Sequence, residues 1–158
     1  AAELRHLPRH EHARHVGREA AAFNQPLTFD TSSVTTMHAM FWEAAAFNQP
    51  LSFDTSSVTD MNYMFNGASA FNQPLSFDTS RVTNMRAMLG ARAFNQPLSF
   101  DTSSVTKMGW MFKIASAFNQ LLSFDTSSVT WSAFNQPLGY MFNYATSLSA
   151  VNKLLIRC

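Results

Sequence analysis

The sequence predicts an α/β repeat solenoid in which each coil of about 24 residues contributes one short strand and one short helix or 3-10 turn. The tripeptide Phe-Asn-Gln recurs with its Phe at positions 23, 47, 71, 94, 118 and 134, so the first four spacings are 24, 24, 23 and 24 residues. A period in the twenties is typical of one supersecondary unit per repeat, stacked on its neighbours because it cannot bury its apolar side alone. Within the repeat, an alternating segment precedes a segment with helical spacing. A parallel β-helix is the alternative architecture.

The strand is predicted just after each Phe-Asn-Gln-Pro. In the third repeat Leu75 and Phe77 are apolar, whereas Ser76 and Asp78 are polar, which is the two-residue period of a half-buried strand. Stacked coils bring equivalent strand residues to about 4.8 Å of one another, so their phenylalanines are expected to form one interior column. The members of that column are Phe29, Phe53, Phe77, Phe100 and Phe124.

The helix or 3-10 turn is predicted after an Asp-Thr-Ser turn. The apolar residues Val82, Met85, Met88 and Leu89 follow one another at intervals of three, three and one, which places them on one helical face. The aspartate that recurs before this segment is expected to accept backbone N–H bonds within its own turn. A ladder of calcium sites is the alternative for these aspartates, and it is disfavoured because each coil lacks a second acid.

Three parts of the chain differ in regularity. Residues 1–22 are a His- and Arg-rich leader or a degenerate N-terminal cap, 23–130 are the repeat solenoid, and 131–158 are an irregular coil and C-terminal cap. Six extra residues lie between Val129 and Phe142 when this coil is compared with the one before it. The register of the solenoid is therefore expected to break near residues 131–140.

Composition excludes several classes of function. The 158 residues are 46% hydrophobic but only 13% charged, and the net charge is +1, so bulk charge does not point to nucleic acid. The single cysteine, Cys158, allows no internal disulfide. The chain has no run of about 18 apolar residues and its leader lacks an apolar stretch, so we expect neither a membrane span nor a signal peptide or anchor in this sequence.

The recurrent pattern Phe-Asp-Thr-Ser-x-Val-Thr-x-Met-x-x-Met-Phe, followed by Ala-Phe-Asn-Gln, resembles the repeats of BspA-like surface proteins, a bacterial surface and lipoprotein repeat family. It is carried here by Phe53 to Phe65 and by Phe71 to Gln73, and the resemblance extends over residues 19 to 130. The resemblance implies a leucine-rich-repeat-like solenoid, a location at the cell surface or outside the cell, and a role in adhesion without catalysis.

No arrangement of residues indicates an enzyme or a cofactor. Serine and threonine are abundant, but no His or Lys recurs beside them to act as a base, and no glycine-rich phosphate loop occurs. The leader carries four closely spaced histidines, and Pro8 interrupts any helix that would align them. We interpret the leader as a basic cap, with zinc or nickel binding as the alternative. These histidines are His6, His10, His12 and His15.

The candidate binding site follows from the positions that vary while their neighbours repeat. Interior positions are fixed by packing, so a position that differs from coil to coil is expected to face solvent. The varying positions fall on the predicted helical segment and include aromatic residues beside cations, a combination common in protein contacts. The candidate residues are His38, Trp42, Tyr63, Arg86, Lys107, Trp110 and Lys113.

The sequence therefore favours a surface recognition module that binds a protein or carbohydrate partner. One alternative is a repeat scaffold fragment without its own ligand. Another is binding to ice or a similar physical surface through two regular threonine columns. The first column is Thr31, Thr55, Thr79, Thr102 and Thr126, and the second is Thr35, Thr59, Thr83, Thr106 and Thr130.

Overall fold

The computed structural model of the protein describes residues 21–130, 140–147 and 149. Within these ranges the backbone forms turns and extended stretches, with no helix and no multi-residue strand. Three parallel bridges join successive repeats, Thr36 to Asp60, Asp60 to Asn84 and Asn84 to Lys107. Successive repeats, here called coils, thus lie side by side with equivalent residues paired. Coils 1 to 5 begin at Phe23, Phe47, Phe71, Phe94 and Phe118.

The segment predicted to be helical is a series of linked turns, which we call the turn segment. In coil 1 it covers residues 36–44, and its backbone N–H groups point alternately in two directions. Met37 and Ala39 donate to the carbonyls of coil 2 at 2.8 and 2.9 Å, as do Phe41 and Glu43. The intervening Met40, Trp42 and Ala44 donate to the carbonyl three residues earlier in the chain, at 3.1 to 3.3 Å.

This alternation explains why no helix covers residues 82–89. An α-helix needs each N–H to reach the carbonyl four residues earlier, but alternate N–H groups here are bonded to the neighbouring coil. Met85, Ala87 and Leu89 donate to carbonyls of coil 4 at 2.8 to 3.0 Å. The apolar side chains predicted to share one face are nevertheless all buried. The turns therefore reproduce the helical spacing of the buried residues without the helix.

The predicted strand at 75–77 is extended but not part of a sheet. Leu75 and Phe77 are buried and Ser76 is exposed, as the alternation predicts. No backbone hydrogen bond joins residues 73–78 to another coil in the described part of the chain. Pro74 has no N–H to donate, and side chains make the contacts between coils on either side of this stretch.

Side-chain ladders supply those contacts. The Oδ1 atom of Asn72 accepts the backbone N–H of Asn95 at 2.9 Å and the side-chain amide of Gln96 at 3.2 Å. The same bonds join the asparagines of all five coils. On the far side of the stretch, the hydroxyl of Thr79 donates to the carbonyl of Asp101 at 2.9 Å. Each coil is thus fixed to the next by amide and hydroxyl groups that repeat with the sequence.

Phenylalanine rings fill the core. The Phe of each Phe-Asn-Gln stacks on its counterpart in the next coil, with ring centroids 5.8 to 6.1 Å apart and planes within 1 to 8° of parallel. Phe77 and its counterparts Phe53, Phe100 and Phe124 are buried too, but Phe29 in coil 1 is 47% exposed. The Phe-Asn-Gln rings form the continuous stack, and burial of such rings is the largest apolar contribution of each coil.

Each recurring aspartate caps its own turn, as predicted. Asp78 Oδ1 accepts the hydroxyl of Ser80 at 2.7 Å and its backbone N–H at 3.0 Å. These bonds lower the pKa of the Asp78 carboxyl below the ordinary 3.8, with the hydroxyl contributing more than the amide. The carboxyls of the other four coils have lowered pKa values as well, from hydrogen bonds of the same two kinds.

The stack continues beyond the six extra residues. Phe112 and Ile114 donate to the carbonyls of Met141 and Asn143, both at 2.9 Å. Each donor and its acceptor are 29 residues apart, against 23 between Met37 and Asp60. The rings of Phe112 and Phe142 stack with centroids 5.2 Å apart. The predicted break at 131–140 falls almost entirely outside the described residues, but the repeat pattern is restored by Met141.

We predict that Phe71→Ala lowers the free energy of unfolding by about 3 to 5 kcal/mol, because Phe71 is fully buried and stacks on Phe47, Phe65 and Phe94. The exposed Ser76→Ala is the control and should cost less than about 1 kcal/mol. Urea titration of both variants measures the difference. Similar losses for the two would contradict the assigned core.

We predict that stability falls as the pH drops below about 4. The folded-state pKa of each turn aspartate lies below its ordinary value of 3.8, so the stabilisation is complete above that value and is lost as the pH falls through the lower folded-state pKa. Urea midpoints between pH 6 and pH 2 measure the effect. A triple variant keeps an acceptor in each of three turns but removes the titrating carboxyls, so its urea midpoint should depend less on pH. Its substitutions are Asp54→Asn, Asp78→Asn and Asp101→Asn. An unchanged pH dependence would contradict the assignment of the effect to the turn aspartates.

Candidate functional site

Five side chains from five successive coils form one row on the surface of the turn segments. We call it the Arg86 row, and its central contact is between Arg86 of coil 3 and Trp110 of coil 4. The guanidinium carbon of Arg86 lies 4.4 Å from the centroid of the Trp110 ring and 5.9 Å from that of the Tyr63 ring. Both distances are within the range of cation–π attraction. The members of the row are His38, Tyr63, Arg86, Trp110 and Tyr140.

The row continues in both directions from this centre. The His38 ring meets Tyr63 edge to face, with centroids 6.2 Å apart and an interplanar angle of 88°. His38 Nδ1 also forms a hydrogen bond with Asn62 Oδ1. At the other end, the rings of Trp110 and Tyr140 are 6.2 Å apart and tilted by 51°. The row therefore links coils 1 to 5 without interruption.

Alternation between large and small residues makes room for the arginine. Tyr63 and Trp110 occupy the same position in coils 2 and 4, and that position is alanine in coils 1 and 3, at Ala39 and Ala87. Because coils are about 4.8 Å apart, the two rings are separated by roughly twice that distance. Coil 3 has Ala87 at this position, so no ring lies between Tyr63 and Trp110. The side chain of Arg86, the residue before Ala87, occupies that space.

The backbone at Tyr63 and Trp110 is left-handed. Their φ angles are 58° and 59°, and the alanines of the other coils have 55° and 51°. The same conformation thus recurs at this position of the turn segment in coils 1 to 4. Glycine or asparagine would adopt it at lower cost, and bulky side chains are rare there. Glu43, Ile114 and Tyr144, which lie outside the row, also have positive φ angles, of 59°, 65° and 65°. The conformation therefore belongs to the turn segments and does not by itself mark Tyr63 and Trp110 as functional.

Arg86 is half-buried and its charge is not neutralised within the described residues. Its Nε atom is buried and has no hydrogen-bond partner, and no carboxylate forms an ion pair with the guanidinium in the described part of the chain. The nearby Asp60 is occupied by other groups, since it accepts the Asn62 N–H at 2.9 Å and the Asn84 amide at 3.4 Å. Two aromatic rings, with no anion, hold this cation in place.

The other predicted site residues lie outside the row. Lys107 is exposed and sits at the parallel bridge to Asn84, on one side of Trp110. Lys113 is exposed on the other side and donates its backbone N–H to the Trp110 carbonyl at 2.9 Å. Trp42 is half-buried in coil 1 and contacts no other ring among the described residues. The structure thus joins His38, Tyr63, Arg86 and Trp110, flanks them with two lysines and leaves Trp42 apart.

Tyr140 is the member of the row that the sequence analysis missed. The Phe-Asn-Gln tripeptide, on which that alignment rests, is displaced by the six extra residues of coil 5. The tetrapeptide Gly-Tyr-Met-Phe ending at Phe142 matches Gly-Trp-Met-Phe ending at Phe112. Alignment on this second motif pairs Tyr140 with Trp110, and so would have found it.

The alternative sites predicted from the sequence have different outcomes. The leader histidines lie outside the described residues. Within residues 21–130, 140–147 and 149, no cluster of three or more His, Cys, Asp or Glu is placed to bind a metal ion. The first threonine column is turned inward in coils 1 to 4, where its members are 2 to 3% exposed. Of the two threonine columns, the second faces solvent, except for Thr106, which is half-buried.

The described residues include no helix long and apolar enough to cross a membrane.

Comparison with protein families matches the chain to one described as "Mycoplasma protein of unknown function, DUF285", over residues 12–120 and again over 75–154. The chain belongs to this family. The two overlapping matches span the whole stack of coils, including the region of the Arg86 row. No curated protein and no solved structure matches the chain.

We predict that Arg86 and Trp110 are energetically coupled by about 1 to 2 kcal/mol, because the guanidinium is partly desolvated over the ring. A double-mutant cycle with Arg86→Met and Trp110→Leu, read by urea unfolding, measures this coupling. Arg86→Met combined with the distant Ser76→Ala should be additive within about 0.5 kcal/mol. Additivity of the first pair would show that the contact contributes nothing to stability.

Proposed function

We propose that this protein is a non-catalytic recognition module, a leucine-rich-repeat-like solenoid that binds a protein or glycan partner through the face carrying the Arg86 row. The observation that carries the proposal is the row itself, in which aromatic and basic side chains of four kinds, contributed by five coils, lie in contact along one line. Its resemblance to BspA-like repeats supports a location at the cell surface and a role in adhesion.

The side chains of the row differ from the invariant polar side chains in what binding a partner would cost the fold. Aromatic and arginine side chains account for most of the binding energy in many protein interfaces. The invariant asparagines and glutamines are engaged with the next coil, and the turn aspartates with their own turns. A partner at those positions would compete with bonds that hold the stack together. Binding at the Arg86 row would leave those bonds intact.

The size of the row suits a protein partner. The four intervals between five coils, at about 4.8 Å each, give a row roughly 20 Å long. That length is comparable with the central cluster of a standard interface, which buries about 800 Å² on each side. Lys107 and Lys113 widen the surface on either side of Trp110.

Binding to ice is the weaker alternative. A regular ice-binding face needs neighbouring threonine columns, and the burial of Thr31, Thr55, Thr79 and Thr102 removes one of the two. The hydroxyls of the other column donate to backbone carbonyls of the adjacent coil at 3.2 Å. Thermal hysteresis at millimolar protein is the measurement that would revive this alternative.

We predict that a partner captured by the immobilised 158-residue chain is lost when Arg86→Ala and Trp110→Ala are combined, with at least about a tenfold fall in affinity. The matched control combines Arg81→Ala with Phe29→Ala, which removes one exposed arginine and one exposed aromatic ring outside the row. Circular dichroism verifies folding of both. Retention of the partner by the row variant, with loss by the control, would place recognition outside the row. Capture of nothing would favour a scaffold without its own ligand.

A further inference from the structure

We propose that Arg86 is a preorganised carboxylate receptor, and that the partner of this face is an acidic polypeptide segment whose Asp or Glu side chain docks on the guanidinium. The inference rests on the proposed function, since it takes the Arg86 row as the recognition face, and it adds the chemistry of the ligand. Four features of the site support it: the way the arginine is held, the absence of an internal partner, the neighbouring charges, and the contacts of the surrounding rings.

The guanidinium is held in place before any ligand arrives. It lies between Trp110 at 4.4 Å and Tyr63 at 5.9 Å, and those rings are themselves held by Tyr140 and His38 on their outer sides. A flexible arginine loses several rotatable bonds when it binds an anion. Here that ordering is already present in the unliganded protein, so less affinity is lost when the ligand binds.

The held cation lacks the partner that its chemistry calls for. A guanidinium presents five N–H donors in a planar fork that matches the two oxygens of a carboxylate. Among the described residues, Arg86 has no ion pair. Its Nε is buried without an acceptor, so an external carboxylate would be bound by the two Nη groups, which can still pair with both of its oxygens. Partial burial strengthens a charge-assisted bond to an external anion, because solvent competes less for the same donors.

The neighbouring charges favour the same ligand. Lys107 and Lys113 are exposed on either side of Trp110 in the adjacent coil, and both belong to the turn segment that carries the row. Asp60, the acid at the bridge position, lies in coil 2 and keeps its charge, since its hydrogen-bond donors, Asn62 and Asn84, are neutral. The turn segments of coils 3 and 4 carry the three cations Arg86, Lys107 and Lys113 and no acid, so an anionic chain is favoured along those two segments.

The rings argue for a polypeptide over a sugar. A sugar is commonly recognised by stacking on a free aromatic face. Trp110 already has the Arg86 guanidinium carbon 4.4 Å and the Tyr140 ring 6.2 Å from its ring centroid. Tyr63 has the Arg86 guanidinium carbon at 5.9 Å and the nearly perpendicular His38 ring at 6.2 Å. The rings position the cation, and the cation is left to make the contact. Binding of a carboxylate side chain requires the Arg86 guanidinium and no free aromatic face.

The test measures binding of a fluorescent decaglutamate peptide to the full 158-residue chain at low ionic strength, by anisotropy. Decaglutamine is the neutral probe, and an oligogalacturonate of ten units presents the same carboxylate on a glycan. We expect decaglutamate to bind, decaglutamine to bind at least about tenfold more weakly, and added salt to weaken the first interaction. The oligogalacturonate is expected to bind more weakly than decaglutamate.

Variants locate the interaction. Arg86→Ala should weaken decaglutamate binding at least about tenfold, and Arg86→Lys, which keeps the charge but loses the planar fork, should give an intermediate loss. Arg81→Ala removes an exposed arginine outside the row and should change the affinity less than about twofold. If Arg86→Ala does not fold, the Nε–H resonance of Arg86 in the unaltered chain should shift on titration with decaglutamate.

Several results would overturn the inference. The inference is wrong if decaglutamate does not bind at millimolar concentration, or if decaglutamine binds equally well. It is also wrong if Arg86→Ala and Arg81→Ala weaken binding equally, or if the Arg86 resonance does not shift. Tighter binding of the oligogalacturonate would transfer the site to glycans. In all these cases the proposed function is tested separately, by partner capture. If the combined Arg86→Ala and Trp110→Ala variant loses the captured partner, the proposed function stands. If that variant retains the partner, the proposed function is wrong as well.

Discussion

The fold depends on the one-to-one pairing of coils through alternate backbone N–H groups. In each turn segment, every second N–H donates to the equivalent carbonyl region of the next coil, and the others close turns within the same coil. This pairing leaves no freedom of register, so each side chain is placed next to its own counterpart. The composition of the repeat then follows from which side chains tolerate a copy of themselves at a distance of about 4.8 Å.

Different side chains meet this condition in different ways. Phenylalanine rings stack in parallel, and asparagine both donates and accepts along the ladder, so each makes a favourable column. Aspartate repels its copy, and neighbouring carboxyls raise the pKa of Asp54. The Ser56 bonds in the same turn outweigh that repulsion, because the net effect on the Asp54 pKa is a decrease. A repeated acid is tolerated where each copy has its own donors.

Much of the fold could be predicted from the sequence, but the type of secondary structure could not. Spacing correctly placed Leu75, Phe77, Met85 and Met88 inside, because burial depends on which way a side chain points. The same spacing predicted a strand and a helix, since alternation and three-residue intervals usually arise from those elements. Linked turns satisfy both patterns when N–H groups alternate between two coils. Those hydrogen bonds join residues of different coils, and the spacing of apolar residues within one coil does not predict them.

The site was partly predictable for a related reason. Variation among coils identified His38, Tyr63, Arg86 and Trp110, since positions outside the core are free to vary. It also selected Trp42, which has no ring contact with the row. Variation does not by itself report exposure, since Ala39 and Ala87 in the column of Tyr63 and Trp110 are buried, and it does not report which side chains are in contact. Tyr140 required the alignment to continue past the extra residues of coil 5, where the Phe-Asn-Gln motif no longer marks the register.

The row that we propose as a recognition surface arises where a strictly periodic stack breaks its own period. Identical coils would place Tyr on Tyr or Arg on Arg, and an uninterrupted column of arginines would repel itself without any ring to hold it. Alternating Ala39, Tyr63, Ala87 and Trp110 doubles the period at one position, so that rings stand two coils apart. The gap admits one cation from the adjacent position, and Arg86 occupies it. Since the core columns remain periodic, this change adds a specific surface without altering the interactions that hold the coils in register.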